Sequence, residues 1–166
     1  MRTWRLPDDV DTDQLAPGGT MKFGLDVTGR HCLEAVRPGF AAQVQRGDVI
    51  VAGTNFGIGS SREQAASVLV LLGVAAVIAP SFSGLYQRNA FNVGLLLLTC
   101  PQAGLIKDGE AIAFDARAGR ITRQQAGTDC ELACMPIPGF LLDMVEAGGL
   151  LPQLKTRLQQ RQETTP

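Results

Sequence analysis

Asp48-Val49-Ile50-Val51-Ala52-Gly53-Thr54-Asn55-Phe56-Gly57-Ile58-Gly59-Ser60-Ser61-Arg62-Glu63-Gln64-Ala65-Ala66 reads as a buried strand, a glycine-rich turn and the opening of a helix. Val49, Ile50 and Val51 supply the apolar run. Gly57 and Gly59 allow positive φ and let a ligand approach the backbone closely. Helical spacing then places Ala65, Val68, Leu69 and Leu72 on one face, with Gly73 as the stop. A helix that starts after such a turn points unpaired N–H groups and its positive dipole end at the loop, which suits an anion. Arg62 can add a bidentate grip on a carboxylate or phosphate.

Three glycine-loop chemistries are set aside by spelling. A Walker A loop needs a lysine before its Ser/Thr, and Gly59-Ser60-Ser61 has none. A dinucleotide loop wants a third glycine where Arg62 stands, and an acidic residue after the next strand, where Pro80-Ser81 follows Val74–Ala79. A nucleophile elbow is not spelled, and the single histidine, His31, leaves little from which to build a triad. What remains is a seat for a small anion with two serines and an arginine. Ser60 keeps two readings: N-cap of a Ser60-Ser61-Arg62-Glu63 capping box, or a chemical role.

Upstream, Trp4-Arg5-Leu6 reads as a short strand. Asp8-Asp9-Val10-Asp11-Thr12-Asp13 packs four carboxylates into six positions, but Gln14 and Thr20 stand where a calcium loop needs glycine and glutamate. The local reading is a turn and N-cap cluster. Ala16–Gly24 is glycine-rich and expected to be mobile, and its Lys22 can offer a cation to a carboxylate. Arg30–Val36, with His31 and Cys32, reads as a short helix.

Downstream, Val74–Ala79 and Leu95–Leu98 read as buried strands. Between them lies a helix over Phe82–Phe91, capped by Ser81, with Phe82, Leu85 and Tyr86 on one face and Asn89 and Asn92 as polar anchors. Two strand–helix–strand units imply parallel strands with right-handed crossovers. The period-two pattern of Glu110–Asp115, the turn Ala118-Gly119 and Arg120-Ile121-Thr122 predict a β-hairpin, with a further strand at Glu131–Met135. Pro138–Ala147 predicts a helix stopped by Gly148-Gly149. Helical spacing continues from Leu150, with fraying expected from about residue 156.

The 166 residues, 45% of them apolar and with a net charge of −1, suit one compact α/β domain spanning 1–166. No basic excess points to nucleic acid, no run is long enough for a membrane helix, and no hydrophobic leader precedes Trp4, so the cytoplasm is the expected address. The four cysteines, Cys32, Cys100, Cys130 and Cys134, do not form an array for a metal or an iron–sulfur cluster, and reduced, mostly buried thiols are expected.

Asn55-Phe56-Gly57-Ile58-Gly59-Ser60-Ser61-Arg62-Glu63-Gln64-Ala65 resembles the Asn-Phe-Gly-Cys-Gly-Ser-Ser-Arg-Glu-His-Ala signature of the aconitase superfamily's swivelling domain. As a free-standing chain, that domain is the small subunit of 3-isopropylmalate dehydratase and its relatives. Asp9–Gln14 resembles the same family's early acidic motif. Ala79-Pro80-Ser81-Phe82 with Arg88–Leu95 resembles its second helix and strand, in matching order.

The resemblance implies a swivelling β/β/α domain with a mostly parallel sheet. It implies Ser60 as the base that takes a proton α to a carboxylate, and Ser61 and Arg62 as substrate ligands beside Gly57 and Gly59, with Asp13 near the pocket. It also implies a loop Ala16–Gly24 that folds over a small carboxylate substrate. This chain is expected to carry no cofactor, the 4Fe–4S cluster residing on a large partner subunit without which the chain is inactive. Three positions depart from the pattern: Ile58 replaces the usual cysteine, Gln64 the usual histidine, and Gly19-Thr20 a Tyr-Leu pair. The last leaves the substrate open among isopropylmalate, 2-methylmalate, dimethylmalate and homocitrate. A non-catalytic anion-binding module of the same fold is the reading from another class.

Overall fold

The computed structural model describes residues 1–125 and 127–163. Four strands, β1 (Thr3–Arg5), β2 (Val49–Val51), β3 (Ala76–Ala79) and β4 (Leu96–Thr99), pair in parallel in the order β1-β2-β3-β4. Parallel neighbours need crossovers, and helices supply them. α1 (Thr12–Leu15), α2 (Leu25–Arg30) and α3 (Phe40–Gln43) join β1 to β2, α4 (Gln64–Leu71) joins β2 to β3, and α5 (Gly84–Asn92) joins β3 to β4. When the strand order follows the chain order, right-handed crossovers all fall on one face of the sheet.

Side-chain alternation agrees with that geometry. Trp4, Ile50, Val77 and Leu97 stand in register and pack with Phe40, Val68, Leu69 and Tyr86 of the helical layer. Their neighbours Val49, Val51, Ala76, Ile78, Leu96 and Leu98 face the other way. There they meet Ile112, Ile121 and Leu132 from a second sheet of β5 (Ile112–Asp115), β6 (Arg120–Gln125) and β7 (Thr128–Ala133), antiparallel in that order. A strand buried on both faces has no use for polar alternation, which is why β2, β3 and β4 read as continuous apolar runs.

The expected hairpin is therefore a three-stranded sheet, and its last strand starts at Thr128, earlier than the predicted Glu131. The predicted helix Arg30–Val36 is displaced: α2 ends at Arg30, and residues 31–36 form turns with Leu33 at φ 59°. Ser81 does not cap α5. Ser83 occupies that position, while the Ser81 Oγ accepts the Asn55 N–H at 2.8 Å. Leu85 is exposed, so the buried face of α5 is carried by Tyr86, Asn89, Ala90 and Phe91. Cys32 and Cys100 are buried, and Cys130 and Cys134 half-buried.

Of the C-terminal helices, α6 (Gly139–Glu146) packs into the core through Leu142, and the turn leading into α7 (Leu150–Glu163) meets the turn between α5 and β4 through a glycine contact. α7 is helical through the stretch where fraying is expected, as far as Glu163. A Cβ on Gly149 would lie 2.5 Å from the Asn92 carbonyl oxygen, and one on Gly94 would lie 2.7 Å from the Gly148 carbonyl carbon. Only bare backbone fits at that joint.

Candidate functional site

The glycine turn follows β2 and is laced to the acidic run, whose carboxylates divide the work. Asp8 Oδ1 accepts the Thr54 N–H at 2.6 Å, and Asp9 accepts the Asn55 side-chain amide at 2.8 Å. That contact accompanies Asn55 at φ 61°, a left-handed conformation that asparagine tolerates better than most residues. Asp11 caps α1 in a full capping box with Gln14, as the local reading of an N-cap cluster anticipates. Backbone bonds complete the lacing, from Gly57 N–H to Val10 at 2.7 Å and from Thr12 N–H to Ile58 at 2.9 Å.

Gly57 has to be glycine. Its φ is +80°, and a Cβ would sit 2.2 Å from the Tyr86 ring, which stacks edge-on against Phe56 at 5.3 Å. Burial pushes the Tyr86 phenol well above its ordinary pKa and holds the Cys32 thiol likewise up, so both stay neutral.

Beyond Gly59 the chain does not enter the helix at once. Arg62 N–H bonds back to the Ser60 carbonyl at 2.8 Å, and α4 begins at Gln64 with Glu63 at the N-cap position and no side-chain cap bond. The expected Ser60–Glu63 capping box is absent. Ser60 and Ser61 are exposed instead, and no protein acceptor is found among the described residues for the N–H groups of Gly59, Ser60 and Ser61. Three amides without a protein acceptor and two serine hydroxyls thus gather at one exposed turn.

Arg62 closes the other side. Its guanidinium is mostly covered, pairs with the Asp13 carboxylate, and reaches the Ala16 carbonyl at 3.3 Å. Ser60, Ser61, Arg62, Asp13, Gly57 and Gly59 are therefore all carried on the two segments laced together here. Lys22 stands apart from that pair, with its ammonium 4.9 Å over the Phe23 ring. A cavity of about 500 Å³ opens beside Asp13 and is lined by Gln14, Pro17, Thr20, His31 and Glu34 as well. Its wall carries a His31–Glu34 contact at 2.7 Å.

The sequence marks Asn89 only as a polar anchor, and Thr12 escapes that reading altogether. Asn89, buried on α5, points its amide at the Ser61 hydroxyl at 3.5 Å. Thr12 is 2% exposed, and its Oγ1 has no hydrogen-bond partner. The Asp11-x-x-Gln14 box is the one local signal for Thr12, because it makes Thr12 the first residue of a helix.

The model of the aconitase C-terminal domain matches residues 32–103, which take in the glycine turn, α4, α5 and β4. The methanogen homoaconitase small subunit of Methanothermobacter thermautotrophicus is 43% identical over 90% of this chain and 86% of its own length. The 3-isopropylmalate dehydratase small subunit 1 of Methanopyrus kandleri is 40% identical over 93% of this chain and 91% of its own. This chain belongs to the dehydratase small subunits of the aconitase family.

The fold of that family is the fold seen here. A crystal structure of 3-isopropylmalate dehydratase (LeuD) from Methanocaldococcus jannaschii superposes with a TM-score of 0.90 at 36% identity, covering 99% of this chain and 97% of that one. As an aconitase-family small subunit, the chain does not itself suit an iron–sulfur cluster. Among the described residues no three thiol, imidazole or carboxylate groups converge to hold a metal ion. No helix among them is long and apolar enough to cross a membrane.

Proposed function

We propose that this chain is the small subunit of a hydro-lyase that dehydrates or isomerises a substituted malate, working in the cytoplasm as one domain with a cluster-bearing large subunit. The observation that carries this reading is the exposed Gly59-Ser60-Ser61 turn, whose three amides have no protein acceptor, next in the chain to the Arg62–Asp13 pair.

The chemistry assigned to the chain's own residues is modest in number of steps. Arg62 and the Ser61 hydroxyl hold substrate carboxylates, with Asp13 fixing the guanidinium until a carboxylate arrives. Ser60 takes the proton from the carbon α to a carboxylate. That C–H bond breaks, an O–H bond forms on Ser60, and the electron pair becomes the carbon–carbon double bond of an enoate as hydroxide leaves the neighbouring carbon. The partner's cluster would supply the Lewis acid for that departure, and passing the Ser60 proton to the hydroxide releases water and restores the base. A serine alkoxide is unfavourable in water, and the free amides of the turn together with Arg62 supply the stabilising field. Isomerisation follows when water returns to the other carbon.

Similarity to both a homoaconitase small subunit and 3-isopropylmalate dehydratase small subunits supports a substrate class rather than one compound. Thr20 lines the cavity and Gly18 and Gly19 beside it carry no side chain, so the test takes in substituents both smaller and larger than isopropyl. The experiment is anaerobic co-purification with a large-subunit partner, followed by absorbance assays of enoate formation across isopropylmalate, 2-methylmalate, dimethylmalate and homocitrate. Turnover of one member identifies the substrate. A stable, cluster-loaded complex that turns over none of them counts against the substrate class, and failure to form any complex counts against the subunit reading.

A further inference from the structure

Thr12 presents an anomaly that the turn chemistry leaves unused. Buried hydroxyls are nearly always paired, yet Thr12 Oγ1 is sealed from solvent without a partner. Its position is specific: a Cβ built on Gly59 would lie 3.2 Å from this oxygen, with the next nearest atoms, from Asp11 and Thr12 itself, at 3.9 Å. The hydroxyl therefore lies directly against Gly59, the residue before Ser60. Thr12 is held there on both sides, by its own N–H bond to Ile58 and by the bridge between Asp11 and Ile58. The segment just beyond is the one whose N–H groups, on Gly59, Ser60 and Ser61, have no protein acceptor. An unpaired hydroxyl on a fixed support thus adjoins an unpaired turn.

We infer that Thr12 is a positioning residue for Ser60: its hydroxyl, unpartnered in the free chain, takes up a hydrogen bond with Ser60 when a carboxylate settles on the Gly59–Ser61 turn. The inference rests on the proposed hydro-lyase reading for its catalytic consequence, but not for the contact itself. An orphaned hydroxyl weakens the free chain. Retaining one is reasonable where the bound state uses it, and replacing it by a methyl of the same shape removes the cost. A residue that merely packs shows the opposite behaviour, because altering it loosens the core.

The test compares Thr12→Val and Thr12→Ser with the wild-type chain. Malate is titrated into the isotopically labelled full chain, and the amide signals of Gly59, Ser60 and Ser61 are followed. In Thr12→Val the Ser60 shift is expected to shrink and the apparent affinity to fall about 3- to 10-fold, while the melting temperature holds or rises. Thr12→Ser is expected to behave as wild type. In the complex with the large subunit, Thr12→Val is expected to lower kcat at least about 10-fold, to raise KM by no more than the affinity loss seen in the titration, and to move the limb of the pH–rate profile that reports Ser60.

Wild-type titration and turnover in Thr12→Val overturn the inference. A Thr12→Val chain that melts several degrees lower, with no rescue by Thr12→Ser, assigns Thr12 to packing and overturns it as well. Absence of any malate response in the wild-type turn does the same. A clear contrast in the titration beside a complex that turns over no substituted malate upholds the contact and overturns the hydro-lyase reading instead.

Discussion

The two sheets of this molecule answer to different rules. In the antiparallel sheet, β5, β6 and β7 keep an unbroken register. Its buried charge is matched, with Arg123 Nε donating to Glu110 Oε1 at 2.7 Å and both side chains largely covered. At the end of β2, by contrast, Asn55 is left-handed, Thr12 Oγ1 is orphaned, Tyr86 is buried with its hydroxyl unpaired, and two serines stand in solvent. Local rules are kept in the antiparallel sheet and broken at the turn proposed to bind substrate. Substitutions in the two regions test that division.

The largest effect belongs to Ser60. Ser60→Ala in the complex is expected to lose about 10³-fold in kcat, roughly 4 kcal/mol of barrier, while the isolated chain melts as wild type because no cap is lost. A melting loss without a rate loss would return the turn to the structural side of the division.

Gly57→Ala comes next. Its methyl meets the Tyr86 ring and its φ suits only glycine, so a cost of about 3 kcal/mol is expected in urea unfolding. Less than about 1 kcal/mol would mean that the turn can give way.

In the antiparallel sheet, Glu110→Ala strands a buried guanidinium and is expected to cost about 2 kcal/mol without altering malate binding at the turn. The Glu110 carboxyl is held below its ordinary value. Burial alone would raise it, but the hydrogen bond from Arg123, the Lys107 N–H and the nearby positive charges more than reverse that. A change in malate affinity for this variant would show that the two regions are coupled.

The smallest effect is at the opposite end of β2. Asp48 is buried, which by itself raises its pKa, yet bonds from Trp4 Nε1, the Gln45 N–H and Arg2 leave the net value lowered. A carboxyl depressed on folding contributes stability above its unfolded value of about 3.9 and loses it as pH falls through the folded value. Wild type is thus expected to exceed Asp48→Asn by about 1 kcal/mol at pH 6, with the gap closing below about pH 4. A gap that persists at pH 2.5 would show that charge is not its source.

How much of this was legible in the sequence follows from the range of the interactions. The parallel strands, the helix after the glycine turn and its Gly73 stop depend on local apolar periodicity, and they stand where the pattern put them. The misread cap shows the limit of local spelling. Ser60-x-x-Glu63 and Asp11-x-x-Gln14 have the same spacing, but only the second is followed directly by helix, because Arg62 turns back on Ser60 before α4 can start. The Arg62–Asp13 pair joins residues 49 apart in the chain, and the bond from Asn89 to Ser61 joins residues 28 apart. Such pairings are fixed by the order of crossovers and cannot be read from neighbours. Thr12 was invisible for a further reason: an unsatisfied hydroxyl has no sequence pattern, since it is defined by what its surroundings fail to supply.

The contact of Gly94 with Gly148 and Gly149 has a consequence for measurement. Main chain rests on main chain there, with no side chain between to bend or change rotamer. The start of α7 is thereby seated directly on the turn that leads from α5 into β4. Leu151, 69% exposed on that helix, is a place for a spectroscopic label that does not disturb the core. A probe at this position sits one turn from that backbone contact, so a rotation of the domain against a partner could be followed from a site far along the chain from the serines.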